Sequence, residues 1–455
     1  MKNVNVSEIE HKRMTESPVS RLVLALSIPT VISMLMTSIY NMADTYFVSS
    51  LGDSAVGAVG IVYSLQSIIQ AVGFGLSMGC GSLVSIKLGE KKNDEANKYL
   101  SSAFFTAMIS GVIIMALSFI NLDGMLLLFG STDTILPHAR GYATVILIAA
   151  PFACSTYVVN NCLRSQGKAR LSMVANLAGG LVNIILDPIF IFALGMDVVG
   201  AAVATAISQL VSLGISLSFY FSEKSIVKLS PKYVSRRPYD YWRIIKTGAP
   251  TVFRQGLGSV ATTLLNIQIK PFGDAAIAAV SISTKVYMMI RGIVLGIGQG
   301  FQPVAGYNFG AKKYHRVKKA FVVATLLGSV VSCLGAIFIA VFPTEVMEFF
   351  RGDNAEVVEI GRKMLLMLAA ALPLLGYSSY VNMMYQSLGF VKGATFLASC
   401  RQGVFFVPLI FILPSLFGLN GVLMTQPVAD ILTFLISIPF CIVFIRKNLS
   451  VEDDL

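Results

Sequence analysis

The chain has 455 residues, of which 55% are hydrophobic and 13% are charged, and its mean hydropathy is +0.73. Soluble globular proteins carry about 25% charged residues, and a buried core does not explain the deficit because a soluble surface still needs polar groups. These values exclude a soluble globular protein and indicate a polytopic membrane protein. Its net charge of +11 is therefore expected to come mainly from basic residues placed outside the apolar spans.

Residues 1–20 are polar, and the first apolar run, 22–48, is too long for a signal peptide and lacks a small-residue cleavage site. We therefore expect this run to stay in the protein as its first span. A transmembrane helix needs about 20 apolar residues to cross roughly 30 Å of hydrocarbon. The apolar runs between polar breaks predict twelve spans, at 22–48, 56–86, 97–120, 137–162, 168–194, 198–221, 243–269, 275–306, 317–341, 358–386, 394–416 and 420–445.

The basic residues predict the orientation of these spans. They concentrate in the even-numbered loops, above all in 222–242 and 312–319, whereas the odd-numbered loops are short or acidic, as at 51–53. Short loops rich in Lys and Arg stay in the cytoplasm. Both termini and all even-numbered loops are therefore predicted to be cytoplasmic, and the basic excess indicates topology rather than nucleic-acid binding.

The chain also repeats itself with an offset of 221 residues. Over positions 29–98 the ungapped alignment has 17 identities in 70, and it keeps the glycines in register. The matching pairs include Pro29 with Pro250, Gly75 with Gly296, Gly79 with Gly300, and Gly89 with Gly310. A period of this length indicates two copies of one large unit.

Each half contains six predicted spans, so both halves enter and leave the membrane on the same side. We predict an N-terminal six-helix lobe at 1–221, a cytoplasmic linker at 222–242 and a C-terminal lobe at 243–455, with a pseudo-twofold axis along the membrane normal. In transporters such halves rock around a site between them. Pro29 lies inside the first span, where it permits a kink. Both static curvature and a bend that changes with the transport state are consistent with Pro29, whereas static curvature is favoured for Pro250.

Two acids lie deep in the N-terminal half. Asp44 lies near the outer end of the first span and Asp187 in the fifth, and charges at such positions need a partner or a function. Asn183 and Asp187 are four residues apart and share a helix face. Pro188 leaves a helix carbonyl free beside the carboxylate, and Thr205 is predicted to reach the same depth on the returning helix.

Two carboxylates, an amide oxygen and a hydroxyl are hard ligands that suit a small cation such as Na⁺. They equally suit a proton, because close carboxylates share one. The alternative is that these side chains only hydrogen-bond helices together. The repeat argues against that alternative, because Asp44 aligns with Leu265 and the stretch 407–409 opposite Asp187 contains no acid.

The C-terminal half places several charges inside apolar runs. In one interpretation, Asp430 neutralises one of the nearby bases; in the other, a base contacts substrate or closes a gate. The candidates for a substrate cavity or for gating are Tyr40, Asn41, Arg254, Lys285, Arg291 and Asp430.

The combination of Pro29, Asp44, 183–188 and Thr205 resembles the multidrug and toxic compound extrusion (MATE) family, in particular its DinF-like branch and MepA-like exporters. The stretch 181–208 is especially similar to MepA-like proteins. The resemblance implies two six-helix lobes in a V around a central cavity, and antiport of organic, often cationic, compounds against Na⁺ or H⁺.

The resemblance also implies a cation site made by Asp44, Asn183, Asp187 and Thr205, and a conformational hinge at Pro29. Members of another branch carry acidic residues in the C-terminal lobe. This chain has no evident counterpart in its seventh span, where Arg254 is found instead. We therefore expect a multidrug antiporter of the cell membrane with no cofactor besides its coupling ion. Its expected partners are small-molecule drugs, the cation and membrane lipids, with no nucleic acid, and we expect a monomer.

Two alternatives compete with this interpretation. A flippase for a lipid-linked oligosaccharide or a lipid, from the same superfamily, is favoured by Lys285 and Arg291. An intramembrane enzyme needs a nucleophile, a metal or a base constellation. The six cysteines are scattered without CxxC spacing, and the three histidines fall in loops or at helix ends. We therefore predict that the protein is not an enzyme.

Overall fold

The computed structural model describes residues 3–222, 224–352 and 354–450, without the side chains of 3–5 and 53. This part of the chain consists of helices joined by turns and loops and contains no strand. The helices are α1 (Asn3–Glu16), α2 (Val19–Ser49), α3 (Asp53–Gly89), α4 (Asn93–Ile120), α5 (Leu122–Leu128), α6 (Leu136–Ser165), α7 (Ala169–Pro188), α8 (Asp197–Phe221), α9 (Pro238–Ile269), α10 (Asp274–Gly310), α11 (Tyr314–Val341), α12 (Pro343–Arg351), α13 (Ala355–Ser387), α14 (Val391–Ser399), α15 (Phe406–Phe417) and α16 (Leu419–Asn448).

The long helices coincide with the twelve predicted spans. Eleven described segments are long and apolar enough to cross a membrane, with mean hydropathies between 1.4 and 2.5. The remaining predicted span is α9, which has 32 residues and is long enough, but Lys246 and Arg254 make it more polar. The prediction of an all-helical, multi-span membrane protein is confirmed. The terminal residues 1–2 and 451–455, whose side of the membrane was predicted, lie outside the described residues.

The described chain forms two compact units. Unit 1 contains the described residues up to Glu16 and Ile32–Val252, and unit 2 contains Ser17–Val31 and the described residues from Phe253 onward. The first part of α2 thus belongs to unit 2, and the first part of α9 belongs to unit 1. Both divisions fall just after a repeat-related proline, Pro29 or Pro250. The lobe boundaries predicted from the repeat stay a prediction.

The repeated glycines mark where these exchanged segments pack. In unit 1, α3 meets α9 so closely that a Cβ on Gly79 would lie 2.1 Å from the Ile244 carbonyl oxygen. In unit 2, a Cβ on Gly300 of α10 would lie 2.5 Å from Cα of Ser27. Only glycine lets two helix backbones approach this closely. The register of the glycines in the repeat therefore has a packing cause, the same in both units.

The substitution Gly79→Ala tests this packing. We expect it to destabilise the protein by about 1–3 kcal/mol, because the added methyl meets backbone rather than a movable side chain. Gly214→Ala in α8 is the matched control, since its Cβ would have no atom within 4 Å, and alanine raises helix propensity. Thermal unfolding in detergent should show a lower midpoint for the first variant only. Equal midpoints would contradict the proposed close contact.

The segment before α9 is fixed to the adjacent helix ends of unit 1, at Gln166, which directly follows α6, and at Asn97 of α4. The Ile226 and Val227 amides donate to Oε1 of Gln166 at 2.8 and 3.1 Å, and the Lys228 amide donates to Oδ1 of Asn97 at 2.7 Å. The segment is therefore held by specific hydrogen bonds along its length.

The start of α9 is anchored by an ion pair. The Lys98 ammonium lies 2.8 Å from the Asp240 carboxylate, and the Ser235 hydroxyl also donates to it. Burial raises the pKa of Asp240, but these two partners more than offset it, so the pKa lies below its usual value. This anchoring therefore stabilises the protein above the usual carboxyl range and is lost as the pH falls through the lowered pKa.

Candidate functional site

The helical hairpin of α7 and α8 brings three predicted ligands together in unit 1. Asn183 Nδ2 donates to Oδ1 of Asp187 at 3.3 Å and to Oγ1 of Thr205 at 3.4 Å. Asp187 is fully buried and Asn183 is 2% exposed. The spacing of four residues gives the first contact, and the short turn after α7 places Thr205 at the same depth.

The end of α7 is irregular beside this carboxylate. Pro188 closes the α-helix, and the chain continues as a π-helix from Ile189 to Ala193. Proline has no amide hydrogen and cannot complete the regular ladder, and π-helical turns are frequent at functional sites. The wider turn positions Asp187 at a break in the helix rather than in its regular interior.

Asp44 of α2 completes the acidic pair. Its charge interacts with that of Asp187, and both carboxylates interact with the Tyr142 hydroxyl of α6. Tyr142 is in turn hydrogen-bonded to the side chain of Gln66 from α3. Five long helices of unit 1 therefore contribute to this group, which we call the acid site: Asp44, Asn183, Asp187 and Thr205, with Tyr142 and Gln66 beside them.

Three oxygens of the acid site are buried without a hydrogen-bond partner among the described residues: Asp44 Oδ1, Asn183 Oδ1 and Asp187 Oδ2. Buried polar atoms are normally satisfied, so orphans of this kind need a reason. A cation would supply it, because all three are hard oxygen ligands. The acid site contains no thiolate and no imidazole, so its donor set suits a hard cation rather than a metal ion that prefers sulfur or nitrogen ligands.

The other residues predicted in this half take different places. Tyr40 lies beside Asp44, with which it interacts electrostatically, and it packs near Gly180 of α7. Asn41 is exposed. Pro29 lies inside the continuous helix α2, in the part that belongs to unit 2. Its role as a hinge stays a prediction.

The C-terminal half forms a second polar group, in unit 2. One of the two interpretations pairs Asp430 with Arg254, Lys285 or Arg291, but the structure gives it a different ion-pair partner. Its ion-pair partner is Arg401, whose Nε lies 2.6 Å from Oδ1 of Asp430. Arg401 projects from the π-helical turn Cys400–Phe405, which packs against α16.

Sequence reasoning therefore missed three residues that the structure places in these groups. For Arg401 the signal was present, since a guanidinium inside the predicted span 394–416 needs a partner. Tyr142 and Gln66 gave no local signal, because their contacts are with helices distant along the chain.

Comparisons with known proteins show to which family the chain belongs. The MatE family profile matches residues 29–189 and 250–412, one segment in each half. The multidrug export protein MepA of Staphylococcus saprophyticus subsp. saprophyticus is 28% identical over 440 residues, which is 96% of each chain. MepA of Staphylococcus aureus (strain NCTC 8325) is 28% identical over 439 residues, again 96% of each.

Solved structures confirm the fold. One described as the outward-facing conformation of a multidrug resistance MATE family transporter of the MOP superfamily aligns with a TM-score of 0.91 at 25% identity, covering 95% of this chain and 97% of that one. The profile covers more than half of the chain, and its two matched segments begin at Pro29 and Pro250, which the internal repeat also pairs. The chain belongs to the MatE family.

Proposed function

We propose that this protein is a secondary active multidrug exporter of the plasma membrane, in which Na⁺ or H⁺ moving inward drives organic, often cationic, compounds outward. The observation that carries the proposal is the set of three orphaned oxygens around Asp44 and Asp187. A static structural role would leave these atoms paired, whereas a site that is repeatedly charged and discharged leaves them available. The names of the MepA relatives support export of drugs rather than catalysis.

Neutralisation of the acid site is the proposed coupling step. A sodium ion would be coordinated by Asp44 Oδ1, Asn183 Oδ1 and Asp187 Oδ2; alternatively a proton on one carboxylate would let it donate to the other. Either event removes negative charge from the buried faces of α2 and α7. Asp44 and Pro29 lie on the same helix, so we propose that α2 bends near Pro29 when the charge is removed, which displaces the bound drug. Release of the cation to the cytoplasm then resets the site.

A proteoliposome assay tests the proposal. Purified protein is reconstituted with a fluorescent cationic dye, and an inward Na⁺ gradient at equal pH, or a proton gradient without Na⁺, is imposed. We expect at least one gradient to accelerate dye movement, and the matching ionophore to abolish the effect. Empty liposomes are the control. Dye movement that ignores both gradients would reject coupled export.

The thermal unfolding midpoint distinguishes the two ions. A ligand at about one hundred times its Kd stabilises a folded protein by about 2.7 kcal/mol. If Na⁺ is the coupling ion, it should raise the midpoint of the wild type relative to K⁺ at equal ionic strength, and this rise should vanish in Asp44→Asn. If the proton is the coupling ion, Na⁺ and K⁺ should give the same midpoint at every pH.

A flippase for a lipid-linked oligosaccharide or a lipid is the second candidate. The observation that favours it is the basic character of unit 2, where Arg254 and Arg291 lie near Arg401. An anionic headgroup would be attracted by this charge. Scrambling of a labelled anionic lipid without any dye export would favour this candidate.

A further inference from the structure

Both oxygens of the Asp430 carboxylate in unit 2 accept hydrogen bonds from neighbouring side chains. Arg401 Nε donates to its Oδ1 at 2.6 Å, and Gln426 Nε2 donates to the same oxygen at 2.8 Å. The Tyr287 hydroxyl donates to Oδ2 at 2.8 Å. Asp430 is 3% exposed. Its charge is therefore committed to Arg401 and to two neutral donors.

Two further guanidinium groups, those of Arg254 and Arg291, lie near the Arg401–Asp430 ion pair. Arg291 follows Tyr287 by one helical turn on α10, so the two side chains share a face. Arg254 precedes Leu257 by one turn on α9, and the Leu257 side chain packs against Gly403 of the turn that carries Arg401.

The charges of these arginines interact. The positive charges of Arg254 and Arg401 repel one another, and the charge of Arg291 is repelled by both. We call Arg254, Arg291 and Arg401 the arginine cluster. Each member lies near the middle of its long helical segment.

The cluster is not electrically balanced. No carboxylate of the described residues lies within 4 Å of Arg254 or Arg291 in an ion pair, and Arg291 Nη1 donates to the Met288 sulfur at 3.6 Å. Both side chains are partly exposed. An unpaired guanidinium in the middle of a span costs several kcal/mol unless it faces water or a polar ligand. Three guanidinium groups around one committed carboxylate leave an uncompensated positive site.

We propose that Arg254 and Arg291, with Arg401 held in place by Asp430, bind the anionic group of a transported organic compound, a carboxylate or a phosphate. The planar guanidinium fork matches both oxyanions and can bind them with two parallel hydrogen bonds. The inference rests on the proposed export function only in taking the ligand to be a transported compound. It extends the substrate class from cations to zwitterions and amphipathic anions.

A matched pair of dyes tests the inference directly. A rhodamine with a free carboxylate and its methyl ester differ only in the anionic group. Binding is measured by fluorescence polarisation with protein in nanodiscs and no ion gradient. We expect Arg254→Gln and Arg291→Gln each to weaken binding of the free acid by at least about tenfold, the equivalent of about 1.4 kcal/mol, and to leave binding of the ester unchanged.

Controls separate charge recognition from damage to the fold. Lys270→Gln removes one positive charge from the exposed turn after α9 and should leave both dyes unaffected. If a glutamine variant does not fold, Arg254→Lys keeps the charge but loses the fork, and should weaken acid binding alone. Equal losses for acid and ester, or no loss for either, would overturn the inference.

Competition identifies the source of the oxyanion. Displacement of the acid dye by benzoate indicates carboxylate drugs, and displacement by a short-chain isoprenyl phosphate indicates a lipid precursor. Displacement by neither would overturn oxyanion binding. Since no gradient is used, acid-selective binding without coupled export would overturn the proposed function and leave this inference intact.

Discussion

Asp187→Asn is expected to reduce gradient-driven dye export by at least about tenfold, a loss equivalent to about 1.4 kcal/mol or more. The substitution keeps the shape of the side chain and an oxygen that accepts from Asn183, whose bond to Asp187 is 3.3 Å long. It removes the negative charge that the cation is proposed to neutralise. Initial rates of dye movement in proteoliposomes, under whichever gradient drives the wild type, measure the effect.

Asp133→Asn is the matched control for this variant. Asp133 is an exposed acid in the loop before α6, so the same chemical change there should leave export intact. Elution volume and thermal midpoint should match the wild type for both variants. Wild-type coupled export in Asp187→Asn would exclude its carboxylate from the coupling step, whatever the behaviour of Asp44.

Asp430→Asn is expected to cause the largest loss of stability, about 3–5 kcal/mol. The variant leaves the Arg401 guanidinium, whose side chain is 11% exposed, without a counter-charge and beside two other arginines. Removing one member of a buried ion pair costs more than the pair contributes, because the remaining charge stays desolvated. Size-exclusion thermostability assays should show a large drop in the temperature at which folded protein is lost.

The double variant Arg401→Gln/Asp430→Asn separates this cause from a loss of packing. Since both charges are removed, the double variant should be more stable than Asp430→Asn alone, and the coupling between the sites should be large. If the single and double variants lose equal stability, the ion pair is not the reason for the defect.

The spans were predictable because lipid imposes one requirement along each of them. A span needs about 20 apolar residues, and its backbone groups must be hydrogen-bonded within the protein, which a helix achieves by itself. Apolar runs of this length can be recognised in the sequence without any tertiary information. The juxtaposition of Asn183, Asp187 and Thr205 was predictable for a related reason. The first two are neighbours on one helix, and the third lies on the next helix across a short turn.

Contacts between distant helices were not predictable in this way. Tyr142 reaches the acid site because α6 packs against α7 and α8, and Gln66 reaches it because α3 packs against α6. Tyrosine or glutamine inside a span has many possible neighbours. The sequence left the partner of Asp430 open for the same reason. Sequence distance and charge do not say which of several arginines faces a given carboxylate, and here the π-helical turn at Cys400–Phe405 decides it.

The exchange of helix beginnings between the two units has a consequence for biosynthesis. Ser17–Val31 leaves the ribosome well before the α10 glycines against which it packs, because these glycines follow more than two hundred residues later in the chain. Unit 1 likewise waits for the opening turns of α9. Neither half can reach its final packing before the other has been translated in part, so a nascent chain truncated after α8 should be recognised as unfinished by membrane quality-control proteases.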